Sequence, residues 1–334
     1  MQISIVIPTY NRPDQLKSVL KHLLASDTEG FDNVEIIVVD DGSKESARHV
    51  VESFDVRPPF NLAYVFQENT GPAEARNHGF RLAKNEIVLF IDDDILVFPD
   101  LIRNHFLAHS ERKGAVFFGQ CPYLVPEIET PAYRYLAELN DQGIAALDHL
   151  REGRFIRLDT IASGNISFEK SMFTDTGEVY GRDLTIAAGE EFELALRLMK
   201  KRIAVFMMPD TKGWHLQPAT IADSCKQNYR YGKGVAEVIT KMPETLTFPP
   251  VANLYLHNNP IQPGDPISLK TKKSIRRLLT PIRGALLDVA TIMEKILPDG
   301  KVLYMVFRTI VSTYFVAGLR DGMREFGESG ISHT

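Results

Sequence analysis

Two rhythms of apolar and polar residues alternate along the first hundred positions of the chain. Four short runs are almost wholly apolar, as expected of strands buried on both faces of a sheet. These runs are QISIVIPTY, VEIIVVDDGS, LAYVFQ and EIVLFIDDD. The segments between them repeat apolar residues every three or four positions, which predicts helices. This β-α-β-α-β-α-β order predicts a parallel sheet covered by helices on both faces.

The pattern changes in the rest of the chain. Residues 115–185 are less regular and predict mixed strands and loops, whereas residues 189–201 predict a helix. Residues 243–266 contain six prolines, which predicts a loop or linker. The apolar run over 302–319 carries Arg308 near its middle, which is costly inside a bilayer. An amphipathic helix is therefore predicted there, either packed in a core or lying on a membrane surface.

Charge and cysteine content narrow the setting of the protein. The whole sequence has 38 basic and 43 acidic residues, but residues 268–334 carry 11 basic and 6 acidic ones. The acidic body argues against a nucleic-acid partner. The basic tail predicts either contact with an anionic surface or a solvated helical face. Cys121 and Cys225 are too far apart for a CxxC motif, and the first strand does not read as a signal peptide, so a cytosolic setting is expected.

Acidic residues follow two of the predicted strands. Asp92, Asp93 and Asp94 come directly after the fourth strand, and burying three adjacent carboxylates without a cation is costly. Hard oxygen ligands favour Mg²⁺ or Mn²⁺, whereas the alternative is a solvated turn. Asp41 ends the second strand, where its carboxylate can accept hydrogen bonds from a base or ribose. The alternative there is that Ser43 caps the next helix.

Three further positions carry candidate chemistry. Arg76 lies one turn into the third helix, where it either reaches a nucleotide or forms a surface ion pair. Glu190 and Glu191 open a helix, where they either complement its dipole or supply a general base. His215, beside the single tryptophan Trp214, is either a metal ligand or a structural residue.

Taken together, these blocks resemble the family 2 glycosyltransferases. The matching segments are SIVIPTYNRPDQL, EIIVVDDGS, NTGPAEARNHGF and LFIDDDILVFPD, followed by SGNISF, GEEFELALRL and WH. The resemblance implies the GT-A fold, an α/β, Rossmann-like and mostly parallel sheet flanked by helices. It also implies an inverting transfer of a sugar from a nucleotide-diphosphate sugar to a hydroxyl. It weakens after about residue 235.

The resemblance implies a role for each matching position on the donor side. The residues that would line the nucleoside pocket are Pro8, Thr9 and Tyr10. Asp41 would bind the base, and Arg76 would lie near the base or ribose. Asp92 or Asp93 would contact the ribose, and the donor nucleotide expected from this arrangement is uridine diphosphate.

The metal, the acceptor and the base are implied in the same way. Asp94 and His215 would bind Mn²⁺ or Mg²⁺, and a second set would face the sugar and acceptor: Gly164, Asn165, Glu190 and Trp214. The family commonly has Glu-Asp where this chain has two glutamates. Glu191 is therefore assigned as the catalytic base, and Glu190 remains the alternative.

The resemblance also suggests how the chain is organised. We expect a GT-A domain over 1–235, with a nucleotide-binding half over about 1–110 and an acceptor half over 111–235. A proline-rich linker over 236–267 and a basic helical C-terminal region over 268–334 would follow. For this last region, the alternatives are contact with the inner face of the membrane, a homodimer contact and a lid. The acceptor would be a glycan, a lipid-linked sugar or a small molecule.

Two other functions are compatible with a nucleotide-binding sheet. A sugar-nucleotide nucleotidyltransferase would normally carry a glycine-rich signature after the first strand, where this chain has Pro-Thr-Tyr-Asn-Arg. A non-catalytic scaffold that binds nucleotide sugars would not need the glutamate at 191. Both are therefore ranked below a glycosyltransferase.

Overall fold

Contacts divide the chain into two units, which are described separately. The computed structural model describes residues 1–127, 129–181, 184, 186, 188–216 and 220–329. Residues 328 and 329 are described by their backbone alone. The first unit comprises Met1–Leu124, Gln142–Thr185 and Leu194–Gln217. The second unit comprises Val125–Asp141, Ile186–Glu193 and Pro218–Thr334.

The parallel sheet predicted for the first hundred residues is present in the first unit. Its strands are β1 (Gln2–Thr9), β2 (Asn33–Asp41), β3 (Phe60–Gln67) and β4 (Ile87–Ile91). They alternate with the helices α1 (Pro13–Leu24), α2 (Arg48–Glu52) and α3 (Pro72–Leu82). The strands lie in the order β3-β2-β1-β4 and are all parallel. Central β1 is buried on both faces, which explains its continuous apolar run.

The later strands make the sheet mixed. They are β5 (Ile95–Val97), β6 (Ala115–Gln120), β7 (Arg151–Glu152), β8 (Phe155–Leu158), β9 (Asn165–Glu169) and β10 (Ala204–His215). Between them in sequence lie α4 (Leu101–Glu111), α5 (Pro131–Ala146) and α6 (Glu190–Lys200). The sheet continues in the order β4-β9-β6-β10-β8-β7, with β9 antiparallel to both of its neighbours. The predicted α/β fold is thus confirmed.

One pairing in this part of the sheet positions a candidate ligand. Strand β5 follows the acidic segment directly and pairs antiparallel with the end of β10. In this register His215 stands opposite Ile95, the residue after Asp94. The pairing therefore brings together two residues that are far apart in sequence.

Helices dominate the described part of the second unit. They are α7 (Ile221–Lys241), α8 (Pro249–Asn258), α9 (Ile267–Leu279), α10 (Arg283–Ile296) and α11 (Lys301–Ser329). Glycines allow α7 and α11 to pack closely, because a Cβ at Gly318 would lie 2.0 Å from the carbonyl oxygen of Tyr229. Leu303 and Phe307 of α11 are buried, in agreement with the core-packing alternative. By length and composition alone, residues 301–327 also suffice to cross a membrane, a criterion that buried core helices meet as well.

The predicted proline-rich linker contains helices rather than an open loop. Helix α7 continues through residue 235 to Lys241, and α8 occupies Pro249–Asn258. Pro249 and Pro250 stand in the first turn of α8, where a missing N–H removes no intrahelical hydrogen bond. Prolines therefore mark a helix start here, which composition alone could not distinguish from a loop. The domain boundaries at 235 and 267 stay a prediction.

Candidate active site

Parallel strands bring the predicted donor-side residues to one edge of the sheet. Because β1, β2 and β4 run in the same direction, Thr9, Asp41 and the segment after Ile91 all leave the sheet at the same end. Open α/β sheets bind ligands at the carboxyl ends of their strands. A side-chain contact joins two of these strand ends, because Thr9 Oγ1 donates a hydrogen bond to Asp93 Oδ2 at 2.7 Å.

Asp93 is a buried carboxylate with an altered pKa. Only 5% of the Asp93 surface is exposed to solvent. Burial raises the pKa of Asp93 to about 6, and the neighbouring charges of Asp94 and Asp92 add to the rise. The guanidinium of Arg12 and the hydroxyl of Thr9 act in the opposite direction. The acidic segment is thus a buried cluster that requires positive charge, and the solvated-turn alternative is wrong for Asp93 and Asp94.

Arg12 supplies part of that charge and is a site residue that the sequence analysis missed. Its Nη1 lies 3.0 Å from Asp93 Oδ1 and 2.8 Å from Asp94 Oδ2. The Arg12 side chain is 41% exposed, so it stands at the open side of the cluster. The only signal in the sequence was an arginine in the turn after β1, and most arginines in turns face solvent.

Asp94 and His215 form the candidate metal-binding pair. His215 Nε2 lies 3.5 Å from Asp94 Oδ1, while Asp94 Oδ2 accepts the hydrogen bond from Arg12. His215 Nδ1 is buried and has no hydrogen-bond partner among the residues that the structure describes. The two oxygens of Asp94 thus face different groups, Oδ2 the Arg12 guanidinium and Oδ1 the His215 imidazole.

The donor set of this pair fits a divalent cation. Two ligand atoms that each lie about 2.1 Å from one ion, at right angles, are about 3 Å apart. The distance between His215 Nε2 and Asp94 Oδ1 is 3.5 Å, so a small movement would bring both atoms to one ion. Within the described ranges, no three His, Cys, Asp or Glu side chains are grouped to hold a metal ion. Other ligands would therefore come from a diphosphate and water, as is usual for Mg²⁺. The pair thus offers one carboxylate oxygen and one imidazole nitrogen to such an ion.

Asp92 is held by a buried arginine and a glycine. Arg76 is 4% exposed, and its Nη2 donates to Asp92 Oδ1 at 2.5 Å. The Arg76 guanidinium also lies 5.6 Å from the centre of the Tyr180 ring. The alternative of a surface ion pair for Arg76 is therefore wrong. On the other side, Asp92 N donates to Gly164 O at 3.1 Å, and a Cβ at position 164 would lie 2.9 Å from Asp92 Oδ2.

We expect Gly164→Ala to weaken nucleotide binding about tenfold, a loss of about 1.4 kcal/mol. The added methyl group would displace the Asp92 carboxylate from its place beside Arg76. Titration calorimetry with uridine diphosphate and Mn²⁺ measures the effect. Gly153→Ala is unsuitable as a control because φ at Gly153 is +67°, whereas Gly143→Ala adds a methyl group in open space. Equal affinities for Gly164→Ala and Gly143→Ala would contradict the prediction.

Asp41 is fixed by the loop before α3. It is 4% exposed, and its two oxygens accept hydrogen bonds from Thr70 N and Gly71 N, both at 2.9 Å. Ser43 does not cap α2, because the residue at that cap is Ala47. The capping alternative is therefore wrong for Ser43, and the carboxylate of Asp41 is held at the edge where a base is predicted to bind.

Three other predicted residues differ in their surroundings. Pro8 is buried in β1, opposite Val39 of β2, whereas Tyr10 is 45% exposed at the edge of the sheet. Trp214 is partly buried, and its ring centre lies 5.4 Å from that of Phe98. Tyr10 is thus exposed at the strand edge, whereas Trp214 packs partly in the core.

Asn165 belongs to a buried row of hydrogen bonds. It is 1% exposed, and its Oδ1 accepts a hydrogen bond from His105 Nε2 at 2.8 Å. Since this amide oxygen can only accept, His105 Nδ1 accepts from Ser167 Oγ at 2.7 Å. Ser167 Oγ in turn accepts from His109 Nε2 at 2.9 Å. The side chain of Asn165, predicted to face the sugar and acceptor, is therefore enclosed in the packed interior.

We expect the two buried histidines to make the protein less stable as the pH is lowered. Burial lowers the pKa of His105 to about 3 and that of His109 to about 4. Between pH 6.5 and 4 the unfolded chain therefore binds more protons at these sites than the folded chain. The unfolding free energy should drop by up to about 1.4 kcal/mol per pH unit for each histidine as pH falls.

Urea unfolding at several pH values tests this expectation. His109→Gln should have a shallower pH slope than the wild type, whatever its stability at pH 7. His49→Gln, at an exposed position, is the matched control and should keep the wild-type slope. A His109→Gln slope equal to the control slope would show that the buried imidazole does not titrate as described.

Glu190 and Glu191 belong to the second unit and open α6. Glu191 is partly exposed and its Oε2 accepts a hydrogen bond from Gly189 N at 3.0 Å, whereas Glu190 is 5% exposed. Burial raises the pKa of the Tyr231 phenol, and the charges of Glu191 and Glu190 add to this. Both glutamates thus stand in a helix first turn, and Glu191 is the more accessible of the two.

Known sequences match both halves of the chain. Residues 4–167 match Glycosyl transferase family 2, and residues 87–316 match Glycosyl transferase family group 2. Validoxylamine A glucosyltransferase of Streptomyces hygroscopicus is 37% identical over 139 residues, which are 41% of this chain and 32% of that protein. Glycosyltransferase GlyG of Streptococcus pneumoniae is 31% identical over 118 residues, 35% of this chain and 38% of that protein. The chain thus spans about a third of the length of these curated relatives.

Solved structures resemble the chain along most of its length. Mannosyltransferase PcManGT from Pyrobaculum calidifontis, in complex with GDP-Man and Mn²⁺, has a TM-score of 0.65 at 18% identity. That match covers 97% of this chain and 87% of PcManGT. S. aureus TarS 1–349 has a TM-score of 0.50 at 16% identity, covering 97% of this chain and 92% of TarS 1–349. These structures share the fold, and the match over residues 87–316 extends across more than half of the sequence. The chain therefore belongs to the family 2 glycosyltransferases.

Proposed function

We propose that the protein is an inverting glycosyltransferase that moves a sugar from a nucleotide-diphosphate sugar to a hydroxyl acceptor. The observation that carries this proposal is the buried acidic cluster at the strand edge, with Arg12, Arg76 and His215 around it. Such a cluster suits a dianionic diphosphate that arrives with its own cation. PcManGT was solved with GDP-Man and Mn²⁺, and TarS 1–349 with UDP at a TM-score of 0.50, which supports a donor of this class.

The donor nucleoside would occupy the edge formed by β1 and β2. Tyr10 offers an exposed ring on which a base could stack, and Thr9 adjoins it. Asp41, held by two backbone N–H groups, would accept a further hydrogen bond from a base. Asp92, fixed by Arg76, would accept from ribose hydroxyls. We propose uridine as the base, on the resemblance of this arrangement to relatives that use it.

The sugar diphosphate would lie beside Asp94, His215 and Arg12. We assign Mn²⁺ or Mg²⁺ to Asp94 Oδ1 and His215 Nε2, because Arg12 already engages Asp94 Oδ2. A cation bound there supplies Lewis-acid neutralisation of the charge that develops on the departing diphosphate. Arg12 holds Asp93 and Asp94 in place and adds a positive charge on the open side of the cluster.

The acceptor hydroxyl would be activated by Glu191. Its carboxylate accepts the hydroxyl proton as the acceptor oxygen attacks the anomeric carbon and the bond to the diphosphate oxygen breaks. Attack from the side opposite the leaving group inverts the configuration. The greater exposure of Glu191 supports its assignment over the buried Glu190.

A cytoplasmic setting with peripheral membrane contact is part of the proposal. Several apolar side chains on the C-terminal helices are strongly exposed, among them Ile267 at 84%, Leu278 at 75% and Ile296 at 73%. Helix α9 combines such residues with lysines and arginines, as surface-bound amphipathic helices do. A lipid-linked acceptor would suit this arrangement.

A thermal-shift panel tests the donor class. The protein is scanned with UDP, GDP, dTDP and CDP, each with Mn²⁺, Mg²⁺ or EDTA. A nucleotide at 100 times its Kd should stabilise the fold by about 2.7 kcal/mol. We expect a shift with UDP that disappears in EDTA. A panel without any shift would refute a working donor site, and a metal-independent shift would refute the proposed metal.

A further inference from the structure

The second unit contains a cavity that the proposed transfer reaction does not use. It has a volume of about 600 Å³ and is lined by residues of α8, α9 and α11 and of the loop after α8. Six basic side chains line it, namely His257, Lys273, Arg276, Arg277, Arg320 and Arg324. No aspartate or glutamate occurs among the described residues of its wall. Its size falls within the range of about 300–1,000 Å³ typical of small-molecule sites.

Two of these basic side chains have carboxylate partners close by. Lys273 Nζ lies 2.7 Å from Asp265 Oδ2, and both side chains are buried. Arg320 Nη2 lies 3.1 Å from Asp321 Oδ1. These pairs leave the charges of the remaining arginines to be balanced by another group.

Arg276 is bound to neutral groups only, as far as the structure describes its neighbours. Its Nη1 donates to His257 O and to Asn258 Oδ1, both at 3.0 Å. Burial lowers the pKa of Arg276, and the nearby charge of Arg308 lowers it further. An anion would stabilise the half-buried Arg276 guanidinium against this burial and the charge of Arg308.

Arg277 and Arg324 stand at the exposed side of the cavity. Neither forms an ion pair with a carboxylate within the described part of the chain. Together with Arg276 they present three guanidinium groups whose charges are uncompensated there. Planar guanidinium groups bind phosphate oxygens through paired, charge-assisted hydrogen bonds.

The rest of the wall is largely apolar. Helix α11 contributes Val316, Leu319 and Met323, and the loop after α8 contributes Ile261. A cavity with several arginines and an apolar wall suits a phosphate that carries an organic group.

We propose that this cavity binds a phosphate group, borne either by a membrane lipid or by a soluble phosphate ester. None of its lining residues belongs to the proposed donor site, so the inference stands independently of the transfer reaction. Phosphate oxygens would face Arg276, Arg277 and Arg324, and the attached group would lie against the α11 side chains.

Titration calorimetry on the full chain tests the proposal. The probes are inorganic phosphate, glycerol 3-phosphate and dihexanoyl phosphatidic acid below its micelle concentration. Binding should weaken about tenfold or more in Arg277→Gln/Arg324→Gln, because two charge-assisted contacts are lost. These side chains are exposed, so the double variant should fold. Lys272→Gln is the matched control, since Lys272 is exposed on the same helix but does not line the cavity.

The probes also distinguish the sources of the phosphate. Tighter binding of the lipid than of glycerol 3-phosphate supports a membrane lipid, and equal binding supports a soluble ester. Absence of binding by every probe would overturn the proposal. So would equal affinities for the double variant and Lys272→Gln. A UDP thermal shift on the double variant should match the wild type, which separates this test from that of the donor site.

Discussion

Asp94→Asn should lower kcat/KM for sugar transfer by about 10³-fold, equivalent to about 4 kcal/mol of transition-state stabilisation. The substitution keeps the shape of the side chain but removes the negative charge that faces His215 Nε2 at 3.5 Å. A divalent cation would lose its only carboxylate in the proposed pair. The diphosphate would then leave without neutralisation of its charge. Initial rates measured across a range of Mn²⁺ concentrations give the effect.

The matched control for this variant is an aspartate away from the strand edge. Asp159→Asn removes an exposed carboxylate of the same unit and should retain the wild-type rate. Arg12 keeps its contact with Asp93 in Asp94→Asn, so the cluster should hold together. A nearly wild-type rate with an unchanged Mn²⁺ dependence would exclude Asp94 as a metal ligand.

Glu191→Gln should lower kcat by about 10²–10⁴-fold, the usual contribution of a general base. The amide is nearly isosteric but cannot accept the proton of the acceptor hydroxyl. Donor binding does not involve this proton, so the UDP thermal shift should persist. Steady-state kinetics with a saturating donor, combined with the thermal shift, separate lost catalysis from lost binding.

Two neighbouring glutamates complete the design of that experiment. Glu193→Gln alters a partly exposed acid of the same helix and should leave kcat unchanged. Glu190→Gln tests the alternative base. If Glu190→Gln abolishes turnover while Glu191→Gln retains it, the assignment of the base is reversed.

The features that local pattern determines could be predicted from the sequence. Strand β4 is a run of apolar residues that ends at Ile91, and the three aspartates follow at once. A buried parallel strand requires such a run, and the strand edge is where ligands bind, so the acidic site and its location were both predictable. The α/β order of the first hundred residues followed from the same alternation.

Features that depend on distant pairing could not be predicted in this way. The contact of Arg12 with Asp93 and Asp94 depends on how the turn after β1 meets the turn after β4. The row from Asn165 to His109 depends on the packing of α4 against β9. Neither arrangement leaves a periodic signal, because each involves single polar residues separated by long stretches of chain.

The proximity of His215 to Asp94 could be inferred only through the family resemblance. Strand β5 has three residues, too few for a clear pattern, and its pairing with β10 sets the register. The helical content of residues 249–258 was hidden for a different reason. Prolines are equally at home in loops and in the first turn of a helix.

The most direct test of the central claim is release of nucleoside diphosphate from a panel of nucleotide sugars. The wild-type protein is incubated with each donor and Mn²⁺, with and without EDTA, and slow transfer to water is measured where no acceptor is present. We predict release from a UDP-sugar that stops in EDTA and falls to background in Asp94→Asn. Release that persists in EDTA, or no release from any nucleotide sugar, would contradict the proposed metal-dependent transfer.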